Sequence, residues 1–132
     1  MRSILKRSGV SAALLLIALP VSAHHSMSAV FDFDQRFMRT GTLTELDWRN
    51  PHIYLFVDVT SDQGLVETWS FEGPSPTLFR DPDNADKSDF ENAIGATVTV
   101  EASRARDGSL SGLIRQITLA DGTVVSLCPQ NC

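Results

Sequence analysis

Apolar residues recur at every second position from Ile53 to Val59. Ile53, Leu55, Val57 and Val59 fall on one side, and Tyr54, Phe56 and Asp58 on the other. Period-two alternation marks a strand with one buried face, and the partly apolar second side predicts a central strand with Ile53, Leu55, Val57 and Val59 in the core. Ser61-Asp62-Gln63-Gly64 supplies a hairpin turn, after which Leu65 to Phe71 returns with Trp69 and Phe71 on a shared face. Upstream, Met38 to Trp48 also reads as a strand, but its apolar parity slips between Leu43 and Leu46. A slip of one residue in a period-two pattern implies a bulge or a bend, as a strand coiling round a small barrel requires. Before it, Ser26 to Phe37 carries Phe31, Phe33 and Phe37 between polar residues and reads as an extended lead-in.

Gly73-Pro74-Ser75-Pro76 breaks the third strand, and the segment up to Gly95 is polar, with Leu78, Phe79, Phe90, Ala93 and Ile94 as apolar anchors. Ser75 and Pro76 predict a short helix through Arg80, and Ser88 with Glu91 predicts a capping box for another, with a loop over Asp81 to Asp86. Thr97 to Ala102, Leu113 to Leu119 and Thr123 to Leu127 then read as strands, turned by Asp107-Gly108-Ser109 and Asp121-Gly122. The expected fold is mainly β: a small OB-like barrel of five to six strands with a short helical insertion between strands 3 and 4. A sandwich of six or seven strands also fits the spacing.

The N-terminus has a different pattern. Arg2, Lys6 and Arg7 precede an apolar run from about Val10 to Leu19, followed by Pro20, Val21, Ser22 and Ala23. That order is a secretory signal, and the run is well short of the roughly 20 residues that span a bilayer. Cleavage is expected after Ala23. The domain reading is therefore a signal peptide at 1–23, the lead-in at 24–37, a β-barrel domain at 38–127 and a cysteine-containing tail at 128–132. Processing would remove three cations and no anions, moving the formal charge from −5 to −8. Such a surface repels nucleic acid, leaves no membrane segment in the processed chain, and keeps an exported protein soluble while attracting cations.

Cleavage at that bond would expose His24 as the first residue. Its α-amino nitrogen and ring Nδ1 then chelate one metal together, with His25 and His52 as the only other imidazoles. Three nitrogens in a plane suit Cu(II), so copper is the expected cofactor if there is one, and His24, His25 and His52 are its ligands. Zinc is less favoured because it calls for a further carboxylate such as Glu72 or Asp47. The bland alternative is a pair of solvated terminal histidines and a His52 bonded locally in its turn. Cys128 and Cys132 are expected to form a local disulfide in an oxidising compartment. Trp48, Tyr54 and Glu72 are the candidate residues for a small ligand, since barrels of this type bind by stacking on aromatic side chains. Glu45, Glu67 and Glu72 invite a carboxylate-pair hydrolase, but charges on sheet edges are mostly solubilising. No nucleophile elbow, phosphate loop or dinucleotide fingerprint is present in the sequence, and an enzyme is not expected.

Several strings resemble an uncharacterised exported bacterial family, the domain of unknown function family 6152. They are His24-His25-Ser26, Phe31-Asp32, Gly41-Thr42-Leu43, Trp48-Arg49-Asn50-Pro51-His52, Glu67-Thr68-Trp69-Ser70-Phe71-Glu72-Gly73 and Leu119-Ala120-Asp121-Gly122. The resemblance implies an exported β-rich domain and assigns no activity. Function rests on the side chains. The leading expectation is an exported β-barrel that binds Cu(II) at its mature N-terminus in the periplasm or outside the cell. A metal-free module that docks a periplasmic protein or small ligand is the alternative, and a small hydrolase comes last.

Overall fold

The computed structural model describes residues 26–80 and 85–128. Six strands account for most of them: β1 (Phe31–Trp48), β2 (Ile53–Thr60), β3 (Val66–Glu72), β4 (Thr97–Ala105), β5 (Ser111–Thr118) and β6 (Val124–Ser126). A four-residue helix α1 (Met27–Val30) precedes β1, and a 3-10 helix (Pro76–Arg80) and α2 (Lys87–Asn92) separate β3 from β4. All six strands form one sheet in the order β3-β2-β1-β4-β5-β6, antiparallel throughout except for an added parallel pairing of β3 with β5. The mainly β reading and the helical insertion both hold. A sandwich does not, because it needs two separate sheets packed face to face.

β1 is long because it serves two partners. Its first part, from Phe31 to Thr42, pairs with β4, and Thr42 to Trp48 pairs with β2. Within the lead-in expected at 24–37, Phe31 to Phe37 is extended as read and opens β1, whereas Met27–Val30 is helical. The changeover falls at Gly41, where a Cβ would run into the Asp58 carbonyl oxygen, so the crossing admits only glycine. Between Leu43 and Glu45 the register shifts, leaving Thr44 as the extra residue. This is the bulge that the parity slip announces, and the Thr44 hydroxyl donates to the Phe56 carbonyl at 3.1 Å.

The core lies under the alternating faces of β1 to β5. Leu43, Leu55, Val57, Trp69, Phe71, Val100 and Ile117 are buried there, as is Ile53. α2 covers one side through Phe90, whose ring meets Trp48 at 5.5 Å and Phe79 at 5.6 Å. Burying such a side chain contributes roughly 1.5–3 kcal/mol. The capping box of α2 differs from the expected Ser88 and Glu91. Asp86 is the N-cap and accepts from the Ser88 and Asp89 amides, while the Asp89 carboxylate accepts from the Asp86 amide at 2.8 Å. Two overlapping sequences satisfied the same spacing rule, and the helix begins at the earlier one. Glu91 instead faces Lys87 one turn back, at 2.7 Å. Phe90 and Ala93 anchor this segment as expected, whereas Leu78 and Ile94 remain exposed. Asp81 to Asn84, part of the expected loop, lies outside the described residues. No described helix is long and apolar enough to cross a membrane.

Candidate functional site

Register places Asp47, Tyr54 and Glu72 in one row across three neighbouring strands. Asp47 is opposite Tyr54 in the β1–β2 pair, and Tyr54 is opposite Glu72 in the β2–β3 pair. The flanking residues Ile53, Leu55 and Phe71 point into the core, so this row stands on the other face of the sheet. His52 immediately precedes β2. Its Nδ1 meets Oε1 of Glu72, with side-chain exposures of 34% for the histidine and 15% for the glutamate. The carboxylate is therefore largely shielded while the ring retains an open edge.

Two loops hold these groups in place. The turn Arg49-Asn50-Pro51, with a cis Asn50–Pro51 bond, is joined to the chain after β3 by a hydrogen bond from the Ser75 hydroxyl to Asn50 Oδ1 at 3.1 Å. The Ile53 amide donates to the Pro74 carbonyl at 3.1 Å, and the Gly73 amide donates back to the Ile53 carbonyl at 2.8 Å. Gly73 has no room for a side chain, since a Cβ would stand 2.7 Å from Ile53 Cγ1. The Trp48 to His52 string and the Glu67 to Gly73 string, far apart in sequence, thus converge on one place.

Two carboxylates flank the phenol in this row, and each has a partner of its own. The Arg49 guanidinium lies 2.6 Å from the Asp47 carboxylate. Burial pushes the Tyr54 hydroxyl above its ordinary pKa of 10.0, followed by the negative charge of Glu72 and its acceptance of the phenolic hydrogen bond; Asp47 adds to the rise and Arg49 opposes it. At ordinary pH Tyr54 keeps its proton beside Glu72. Glu72 therefore faces both a phenol and an imidazole.

Residues 12–116 match the model of a family of unknown function, DUF6152. The chain belongs to this family. The match takes in every residue of the site, and it ends before the Leu119-Ala120-Asp121-Gly122 string. No curated protein and no solved structure matches the chain. DUF6152 membership assigns no chemistry, so the placement of each candidate residue carries the argument.

Among the expected metal ligands, His52 is at the site, and His24 and His25 lie outside the described residues. No group of three or more His, Cys, Asp or Glu side chains is arranged for a metal ion among the described residues. Of the expected ligand-binding residues, Tyr54 and Glu72 are neighbours. Trp48 is opposite Ile53 on the core-facing side, with its ring 4.7 Å from that of Phe79, so it shares no surface with Tyr54. The three glutamates also separate. Glu45 is opposite Phe56, Glu67 is opposite the buried Val59, and only Glu72 joins the row. Cys128 is disulfide-bonded, and Cys132 lies outside the described residues. A cleft of about 650 Å³ opens elsewhere, between Phe79, Asp89, Leu119 and β6, and of the expected site residues only Cys128 lines it. Asp47, which the sequence offers only as a strand-edge charge or an added zinc carboxylate, pairs instead with Arg49 two residues on, and that spacing is the available signal.

Proposed function

We propose that this protein is an exported OB-type β-barrel that binds a cation, Cu(II) foremost, with His52 as its preset ligand. The observation that carries the reading is the Glu72 carboxylate on His52 Nδ1. A histidine that ligates metal commonly gives its other ring nitrogen to a carboxylate, which fixes the tautomer and raises the basicity of the ligating nitrogen. Here that arrangement leaves Nε2 for the metal. His24, through its amine and ring, and His25 would complete a nitrogen-rich set of the kind Cu(II) favours. The acidic balance of the chain, −5 overall, favours a cation as well. The barrel reading is supported by the pairing cycle, in which β3 contacts both β2 and β5, and by the helices that fall between β3 and β4.

Export to the periplasm or medium supplies the free amine. Calorimetric titration with Cu(II) of the chain beginning at His24, repeated with one residue added before it, tests that part. A drop in affinity on extension is expected, and equal affinity removes the amine from the ligand set. His52→Ala should weaken binding in the processed chain. Unchanged binding there would return His52 to a purely local role beside Glu72.

A further inference from the structure

On the other face of the sheet, Arg39 of β1 and Arg104 of β4 stand outside any ion pair among the described residues, since Asp32, opposite Arg104, turns to Arg106 at 3.3 Å instead. Phe37 is opposite Ala102 and Arg39 is opposite Val100, and both β4 residues are fully buried, so Phe37 and Arg39 belong to the core-facing side of β1. Arg104 is opposite Gly112, whose missing side chain leaves space filled by the Phe37 ring. Both guanidiniums converge on the same pair of rings. Arg39 lies 4.6 Å from the Trp69 centroid and 5.1 Å from that of Phe37, and Arg104 lies 5.6 Å and 5.7 Å from them. The rings themselves are 5.3 Å apart.

We propose that Arg39 and Arg104, set on the Phe37–Trp69 platform, form a binding site for the oxyanion of a small ligand, a carboxylate or a phosphate. The chain has 16 acidic residues, yet neither arginine is in an ion pair among the described residues; the pairs there use Arg49, His52, Lys87 and Arg106. Glu67, two residues before Trp69 on the same face of β3, pairs with neither. Arg39 commits one N–H to the Met38 carbonyl at 2.8 Å, and Arg104 commits none among the described residues. Half-buried guanidiniums lose hydration that ring faces restore only in part, because a ring offers no acceptor to the in-plane N–H groups. Those edges remain suited to the forked geometry of carboxylate or phosphate. Trp69 carries a third donor: its Nε1 is buried and has no partner. Buried orphan donors are rare in native structures, and this one sits in the ring that both cations cover.

The test is an NMR titration of the isotope-labelled protein with succinate and, separately, with inorganic phosphate, chloride holding the ionic strength constant. Saturable movement of the Trp69 indole N–H resonance is expected, with the Trp48 indole unmoved. Saturation by one anion and not the other identifies which oxyanion the site takes. Arg39→Gln and Arg104→Gln should each weaken binding by about tenfold or more, as loss of a charge-assisted fork does. Should Arg104→Gln fail to fold, Arg104→Lys keeps the stem and the charge but not the fork, and a comparable loss is expected of it. A Trp69 shift that never saturates with either anion overturns the proposal, as does unchanged affinity in a folded variant.

Discussion

The two faces of the sheet handle charge in opposite ways. On one face, Asp47, Arg49, Tyr54, His52 and Glu72 are each set against a group of opposite charge or a hydrogen-bond partner. On the other, Arg39 and Arg104 are set against rings. Strand alternation lets four consecutive residues build both, because Trp69 and Phe71 point inward while Ser70 and Glu72 point outward. The first face is internally compensated and its groups tune one another. The second is held by packing, with both guanidiniums outside any ion pair among the described residues. Mutation should therefore read as stability on the packed face and as proton affinity on the compensated one.

Trp69→Ala gives the largest expected effect. Removing a buried tryptophan side chain costs about 3–5 kcal/mol, measurable as a fall in the urea midpoint of unfolding. A loss under about 1 kcal/mol would mean that the platform is not part of the core. Glu72→Gln should cost less, about 1.5 kcal/mol, since it converts the charged partner of His52 into a neutral one. An equal loss for these two variants would erase the distinction between the faces.

That distinction was only partly visible in the chain. The alternation of Ile53 to Val59 yields the central strand, and the slip after Leu43 yields the bulge, because both follow from a period of two. Tracing the same parity back from Leu43 through Gly41 reaches Arg39 and Phe37, so their inward position was accessible, but the contact with Arg104 depends on β4 pairing with β1 and on the vacancy at Gly112. The outer row was half legible. Residue type alone marks Tyr54 and Glu72 as candidates, whereas their meeting depends on the β2–β3 register, and Trp48, which residue type groups with them, sits one residue out of phase. The cap of α2 is ambiguous in sequence for a different reason: Asp86 with Asp89 and Ser88 with Glu91 both satisfy the spacing, and local pattern alone does not choose between them.

Proton affinity sharpens the comparison further. Tyr54 is the only tyrosine in the chain, so tyrosinate absorbance reports it alone. Its folded-state pKa should lie above 10.0, raised by burial first and Glu72 second. Because the folded state holds this proton more tightly than the unfolded chain does, its contribution to stability is complete below pH 10.0 and is lost as the pH rises through the higher folded value. Glu72→Gln should bring the midpoint down toward 10.0 without reaching it, since burial remains. A midpoint unmoved by that variant would detach Tyr54 from the carboxylate.

Arg49→Gln should have the smallest effect, and its sign is the informative part. The arginine side chain is 75% exposed, so losing its ion pair with Asp47 should change stability by no more than about 0.5 kcal/mol. Its positive charge nevertheless opposes the rise at Tyr54, while Asp47 adds to it. Removing the cation both deletes the opposition and leaves Asp47 uncompensated, so the Tyr54 midpoint should move up, in the direction opposite to Glu72→Gln. The shift should shrink as salt is added, because an exposed charge is screened far more than one shielded by the sheet. An unmoved midpoint would mean that the Asp47–Arg49 pair does not act on Tyr54 and that the row ends at Glu72.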